Sequence, residues 1–379
     1  MKVVIASDSY KGSNTSIKVA AAIERGIKKV DPSLDVVKLP VADGGEGLVQ
    51  ALVPEEDKWV YVNVTGPMGK QVKAEYALYN EDTAVIEMAS ASGLPLVTDS
   101  VKDPRKATTF GTGELIKDAL DRGCKTILIG IGGSATNDGG CGMARALGVK
   151  FLDASGQEVD AVGGNLDSIK DVDLSGLLPS VKNATIKVAC DVDNPLCGEQ
   201  GASAIYGPQK GATPEMVKVL DANLKSLAEL MKSKTGQDMA EVPGAGAAGG
   251  LGFGLMAFCG GVLEKGIDLV LDSVGFDASL EGADLVITGE GRIDGQSVRG
   301  KVPVGIAARA KKKNLPVLVI AGDIGPGISN LYEYGIDAVM STVNKAMPLK
   351  EALERSTELL EDAAERAFRM IKIGMDIKA

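Results

Sequence analysis

The sequence predicts an α/β protein in which a discontinuous, Rossmann-like parallel-sheet domain is built from both termini and a mixed α/β domain is inserted between them. Three observations predict this. Both ends alternate short apolar strands with helical segments, and neither end alone supplies enough strands for a sheet of ordinary size. The middle instead carries alternating strands separated by turn residues. With 379 residues the chain is also too long for one ordinary core, so the expected domains are 1–57 with 281–379, and 58–280.

From the N-terminus, 2–6 reads as a strand and 15–30 as a helix that stops at Asp31-Pro32, because proline cannot continue it. A strand at 35–40 and a short helix at 48–52 follow. At 60–65, 71–79 and 83–88 the pattern alternates between Gly-Pro and Asn-Glu-Asp turns, which predicts antiparallel pairing. Helix 113–122, strand 126–130, helix 141–147, strand 185–190 and helix 214–233 come next, then a Gly/Ala-rich stretch at 244–261. The far end resumes the first pattern: strand 283–288, helix 302–313, strands 316–321 and 336–341, and a long closing helix at 349–371. Lys311, Lys312 and Lys313 end a helix, where cations favour its dipole.

Composition narrows the chemistry. The chain contains no histidine, which removes Ser-His-Asp and Cys-His hydrolases, His-ligated zinc sites and phosphohistidine transfer. Acid–base work therefore falls to Asp, Glu or Lys. A net charge of −10 argues against a nucleic-acid partner. The five cysteines are scattered and form no C-x-x-C pair, as expected of a reducing cytoplasm. No signal peptide and no apolar run of membrane-spanning length are seen, so no membrane partner is expected.

Ligands of open parallel sheets sit beyond the carboxyl ends of the strands. Three such loops here combine acids with glycines: Ser7-Asp8-Ser9-Tyr10-Lys11-Gly12-Ser13, Ala42-Asp43-Gly44-Gly45-Glu46-Gly47, and Gly289-Glu290-Gly291-Arg292-Ile293-Asp294-Gly295-Gln296-Ser297. Glycine lets the backbone turn N–H groups toward phosphate oxygens. Carboxylates can hold Mg²⁺ or accept a hydroxyl proton, and Lys or Arg can neutralise a carboxylate or a transferring phosphoryl group. The middle adds Ile131-Gly132-Gly133-Ser134-Ala135-Thr136-Asn137-Asp138-Gly139-Gly140, a strand-to-helix nest suited to nucleotide phosphates, and Asp191-Val192-Asp193-Asn194 after another strand. Residues 244–250 formally match G-x-G-x-x-G but follow no strand, which weakens a nicotinamide-dependent oxidoreductase reading and favours close packing or a nucleotide-facing loop. A sugar-acid-binding regulatory module would need neither the phosphate nest nor the acidic loops. Walker A and protein-kinase motifs are absent.

These stretches, with Gly207-Pro208-Gln209-Lys210-Gly211-Ala212 and the flanking Val41, Ile287 and Thr288, resemble the bacterial glycerate kinases of the glycerate 2-kinase type, in the family's order and over nearly the whole chain. Ser7 and Tyr10 depart from the Pro and Phe common in the family; Tyr10 is expected to add a hydroxyl next to Lys11. The resemblance implies two α/β domains with the active site in the cleft between them. It also implies ATP- and Mg²⁺-dependent phosphorylation of D-glycerate at the 2-hydroxyl, with the 3-hydroxyl as the alternative. Under it, Lys11 and Arg292 are expected to meet the substrate carboxylate or the phosphoryl group, and Asp191, then Asp43, to take the hydroxyl proton. Ser9, Asp193, Asn194 and Gly291 would bind substrate, and Gly132, Gly133, Ser134, Thr136, Asn137 and Asp138 the nucleotide. Asp8, Glu46, Glu290 and Asp294 would hold the metal.

Overall fold

Apolar runs without alternation suit strands covered on both faces, and Val3, Val4, Ile5 and Ala6 of the first strand are all fully buried. The computed structural model describes residues 1–44, 47–295, 297 and 301–378. The chain opens with β1 (Lys2–Ser7), α1 (Ser16–Val30), β2 (Asp35–Pro40) and α2 (Leu48–Leu52). Next come β3 (Trp59–Thr65), β4 (Gln71–Leu78), β5 (Thr83–Glu87), α3 (Ala89–Ser92), α4 (Phe110–Asp121), β6 (Thr126–Gly130) and α5 (Cys141–Ala146). A ribbon of β7 (Lys150–Leu152) and β8 (Asp171–Asp173) precedes α6 (Pro179–Asn183), β9 (Thr185–Ala189), α7 (Ala202–Tyr206), α8 (Pro214–Thr235), α9 (Ala247–Cys259) and β10 (Val262–Glu264). The last part is α10 (Gly266–Ser273), α11 (Phe276–Ser279), β11 (Leu285–Ile293), α12 (Val302–Lys311), β12 (Val317–Ile324), β13 (Ala338–Ser341), α13 (Leu349–Glu354) and α14 (Ser356–Lys378).

Two compact units result, Met1–Asp43 with Ile267–Ala379, and Gly44–Gly266. The first holds a five-stranded sheet in the order β13-β12-β11-β1-β2, parallel throughout. Helix α1 covers it with a stripe of Val19, Ile23 and Ile27, which packs with Leu360, Ala364 and Phe368 of α14. Burying each such large side chain stabilises the fold by about 1.5–3 kcal/mol. The two helices approach so closely at Gly26 that a Cβ there would collide with the Glu361 carbonyl.

The second unit holds a six-stranded sheet, β10-β9-β6-β5-β4-β3. The β3-β4 and β4-β5 pairs are antiparallel, as the turns predict, but β5 also pairs parallel with β6 and so joins the meander to a parallel half. The stretch at 244–250 is a packing device. Ala248, Gly249 and Gly250 have φ of 55°, 70° and 87° at a kink in α9, and a Cβ on Gly249 would strike the Thr136 carbonyl.

The divisions fall at 43/44 and 266/267, whereas the sequence pattern puts them at 57/58 and 280/281. Side-chain contacts explain both differences. The Glu87 carboxylate accepts the Gly47 and Val49 N–H groups, each at 3.0 Å, and ties α2 to the second unit. Arg309 of α12 pairs with Asp268 at 3.0 Å, Asp272, and Asp277 at 3.5 Å, and ties α10 and α11 to the first. The closing helix is likewise broken at Arg355. There the buried Ser356 hydroxyl accepts the Asn14 amide at 2.8 Å, a contact from the other end of the chain.

Gly249→Ala should lower the free energy of unfolding of its unit by about 3 kcal/mol, from a strained backbone plus a collision. Gly260→Ala, at φ 66° with open space around its Cβ position, should cost only about 1 kcal/mol. Urea denaturation of the two variants checks this; equal losses would refute the packing role of Gly249.

Candidate active site

Because β2, β1 and β11 are adjacent and parallel, the loops beyond their carboxyl ends are brought together. The Asp8 N–H donates to the Gly289 carbonyl at 2.9 Å, stitching the first loop to the strand beside it. Gly289 itself leaves no room for a side chain, since a Cβ would strike the Ile320 carbonyl. Asp8 accepts the Ser9 N–H at 2.6 Å, and the following turn closes with Tyr10 N–H to the Asn14 carbonyl at 2.8 Å. Lys11, on the turn, is exposed. The Tyr10 hydroxyl is not beside it, as the sequence suggests, but buried, donating to the Ile320 carbonyl of β12 at 2.6 Å. It anchors the loop that presents Lys11.

The Asp8 carboxyl is pushed up to about 7, first by burial and then by the charges of Asp43 and Glu290, against the Ser9 N–H and Lys11. Burial also raises Glu290, while Lys301 at 3.1 Å and the Ser297 hydroxyl at 2.9 Å hold it down. Arg292 is mostly exposed and lies 3.6 Å from Asp294 and 3.4 Å from Asp323, its register partner on β12. The Asp294 N–H donates to Ser297 Oγ at 3.2 Å. Gly291 lies against the Tyr10 backbone, where a Cβ would be 3.5 Å from the Tyr10 Cα. Glu46 lies outside the described residues. The first unit thus gathers Asp8, Ser9, Lys11, Asp43, Glu290, Gly291, Arg292 and Asp294 around three loop ends. Lys301 and Asp323 join them without having been singled out in the sequence. One opens a helix and the other ends an apolar strand, where an isolated charge reads as solvated.

In the second unit the loop from β6 into α5 has an exposed rim and a buried base. Gly132 and Gly133 are exposed, with Gly133 at φ 74°, whereas Ser134, Thr136, Asn137 and Asp138 are buried. The Asp138 carboxylate accepts Thr109 N–H and Oγ1–H at 2.8 Å each, and the Gly140 and Gly142 N–H groups at 3.2 Å each. Burial pushes its carboxyl up and these donors oppose it. Asn137 donates to Ser203 Oγ at 3.0 Å. Lys210, only 1% exposed, donates to Ser134 Oγ and to the Thr136 carbonyl, both at 2.6 Å. Thr136, Asn137 and Asp138 therefore shape the loop from within, and the glycine rim is what it offers outward.

Beyond β9, Asp191 is exposed and accepts the Gly266 N–H at 2.9 Å, which fixes its carboxylate. Asp193 is exposed. Asn194 uses both ends of its amide within the unit, donating to the Gln200 carbonyl at 2.8 Å and accepting the Tyr206 hydroxyl at 2.6 Å.

Acidic loops at sheet ends and a glycine-rimmed loop carry groups of the kind that phosphoryl transfer uses. The model of the glycerate kinase family matches residues 3–372. The chain belongs to the glycerate kinase family. It is 49% identical over 376 residues to a Bacillus subtilis glycerate kinase, covering 99% of this chain and 98% of that protein. It is 48% identical over 381 residues to the Escherichia coli glycerate 2-kinase, covering 99% of each. A crystal structure from Salmonella typhimurium LT2, described as a candidate glycerate kinase 2, superposes with a TM-score of 0.91 at 48% identity and 99% coverage of each chain. The glycerate kinase fold thus contains the parallel sheet from both chain ends and the separate mixed sheet.

Among the described residues no three carboxylates or thiols form a metal cage. Mg²⁺ needs none, since it is commonly held by one or two carboxylates with water and phosphate oxygens completing the shell. Asp8, crowded by the charges of Asp43 and Glu290, fits that requirement.

The Asp8 carboxyl sits at about 7 in the fold against an ordinary value of 3.8, so the native state binds more protons between those limits. The stability this group contributes is full below the lower value and is lost as pH rises through the upper one. Asp8→Asn should match the parent's stability in acid and exceed it by about 2 kcal/mol at alkaline pH without added metal. Thermal melts across that range check this; parallel curves would refute it.

Proposed function

We propose that this glycerate kinase transfers the γ-phosphoryl group of ATP to the 2-hydroxyl of D-glycerate, with Mg²⁺ bound at the acidic loops. The observation that carries this reading is the end-to-end similarity to the E. coli glycerate 2-kinase, 48% identical over 99% of each chain. The site chemistry supports it. The exposed Gly132–Gly133 rim suits the polyphosphate, with its backbone N–H groups as donors. Lys11, exposed on an anchored turn, and Arg292, at the end of β11, supply positive charge for the glycerate carboxylate and the transferring group.

The glycerate hydroxyl oxygen forms the new bond to the γ-phosphorus as the bond to the β,γ-bridging oxygen breaks, and ADP leaves. Asp191, held by the Gly266 N–H, accepts the hydroxyl proton; Asp43 is the second choice. Ser9, Asp193 and Gly291 line the substrate. Asn194 supports them through the backbone, because its amide is engaged at both ends. Asp8, Glu290 and Asp294 are the carboxylates for Mg²⁺, and Glu46, the fourth candidate of the sequence, lies outside the described residues. The metal would neutralise phosphate charge and orient the phosphates. Five free cysteines suit a reducing compartment, and we place the enzyme in the cytoplasm.

The test is ADP release that requires both D-glycerate and Mg²⁺, with ³¹P NMR of the product. Coupling to one proton identifies the 2-phosphate and coupling to two identifies the 3-phosphate; the second pattern would overturn the regiochemistry. Lys11→Ala should lower kcat/KM about 10²–10³-fold with little change in Tm, because the side chain is exposed. Asp191→Asn should lower kcat by about 10²-fold or more. Near-parent turnover in either variant would remove that residue from the site.

A further inference from the structure

We propose that Lys210 is a positioning residue for the nucleotide phosphates, holding the 132–138 loop in shape from beneath. The inference rests on the reading of that loop as the phosphate nest. Lys210 closes a tight turn, Pro208–Lys210, that ends at Gly211 with φ 94°. Its ammonium is buried and makes two bonds of 2.6 Å into the loop, one to the Ser134 hydroxyl and one to the Thr136 carbonyl. These acceptors are two residues apart, so a single cation sets the local path of the backbone just past the Gly132–Gly133 rim.

A buried ammonium is costly to the fold unless it is paired and hydrogen-bonded, and a hydrocarbon chain of similar size would fill the space at lower cost. Burial pushes the Lys210 ammonium down to about 7, and Asp138, buried in the same loop, opposes that effect. The Thr136 side chain does not fix its own residue, since its buried hydroxyl has no hydrogen-bond partner among the described residues. The Thr136 carbonyl, gripped by Lys210 on one side and abutting Gly249 on the other, does so instead. Asn137, bonded to Ser203, adds a second brace from α7. Lys210 therefore acts through the loop rather than on the reacting atoms.

Lys210→Met keeps the volume and removes charge and donors. The expected result is a KM for ATP raised about tenfold or more, with the KM for D-glycerate and kcat at saturating ATP within about threefold of the parent. An unchanged KM for ATP, even with a lowered Tm, would overturn the inference and leave Lys210 purely structural. Gly132→Asp, which puts a negative charge on the exposed rim, is the companion variant. If it raises the KM for ATP while Lys210→Met does not, only the role of Lys210 fails. If it leaves the KM for ATP unchanged, the loop does not meet phosphates, and both the loop reading and this inference fall. Should Lys210→Met not fold, Lys210→Gln, which can still donate to one acceptor, carries the same comparison.

Discussion

The parallel pairing of β1 with β11 is the constraint on which the first unit depends. Val3, Val4 and Ile5 lie in register with Leu285, Val286 and Ile287, so strands from opposite ends of the chain share the centre of one sheet. No local turn can make that pairing; only the burial of two continuous apolar strands between helices rewards it. Once made, it fixes where three loops emerge, and the Asp8 N–H bond to Gly289 extends the same ladder into the site. The crowding of Asp8, Asp43 and Glu290 is a consequence of strand order, and the Asp8 carboxyl is raised by burial first and by these neighbouring charges second. A cation would relieve such crowding, as the proposed Mg²⁺ role requires.

The second unit solves a different problem. A loop that turns its backbone outward must satisfy its own polar groups inward. Here that task is divided among Thr109, Ser203 and Lys210, which come from three separate segments and meet under the loop. Glycines at 249, 250 and 254 let α9 approach the same loop at backbone distance. The glycine rim thus rests on a polar base and a glycine-rich wall. That base is purchased with buried charge that adds little to net stability.

Much of this was legible in the sequence. The strands at either end, the meander at 60–88, the loops after them and the family all follow from patterns local in the chain. What local patterns do not show depends on distant partners. The Tyr10 hydroxyl looks like a neighbour of Lys11, yet it reaches Ile320 because the ring enters the core. Thr136, Asn137 and Asp138 look like ligand groups, yet they turn inward to partners at 109, 203 and 210. The sequence pattern puts residues 44–57 with the terminal domain and 267–280 with the insertion, yet Glu87 bonds to Gly47 within the second unit and Arg309 to Asp268 within the first.

The sequence by itself determined the fold class and the chemistry available, because periodicity, turn residues and the absence of histidine are properties of composition and spacing, while the family came from the resemblance of its loop motifs. Tertiary structure alone decided which acids crowd one another, which polar residues of the glycine loop face inward, and that a buried lysine supports them. The reason is physical: direction, burial and pairing are set by strand order and close packing, and the groups that set them lie far away in the chain.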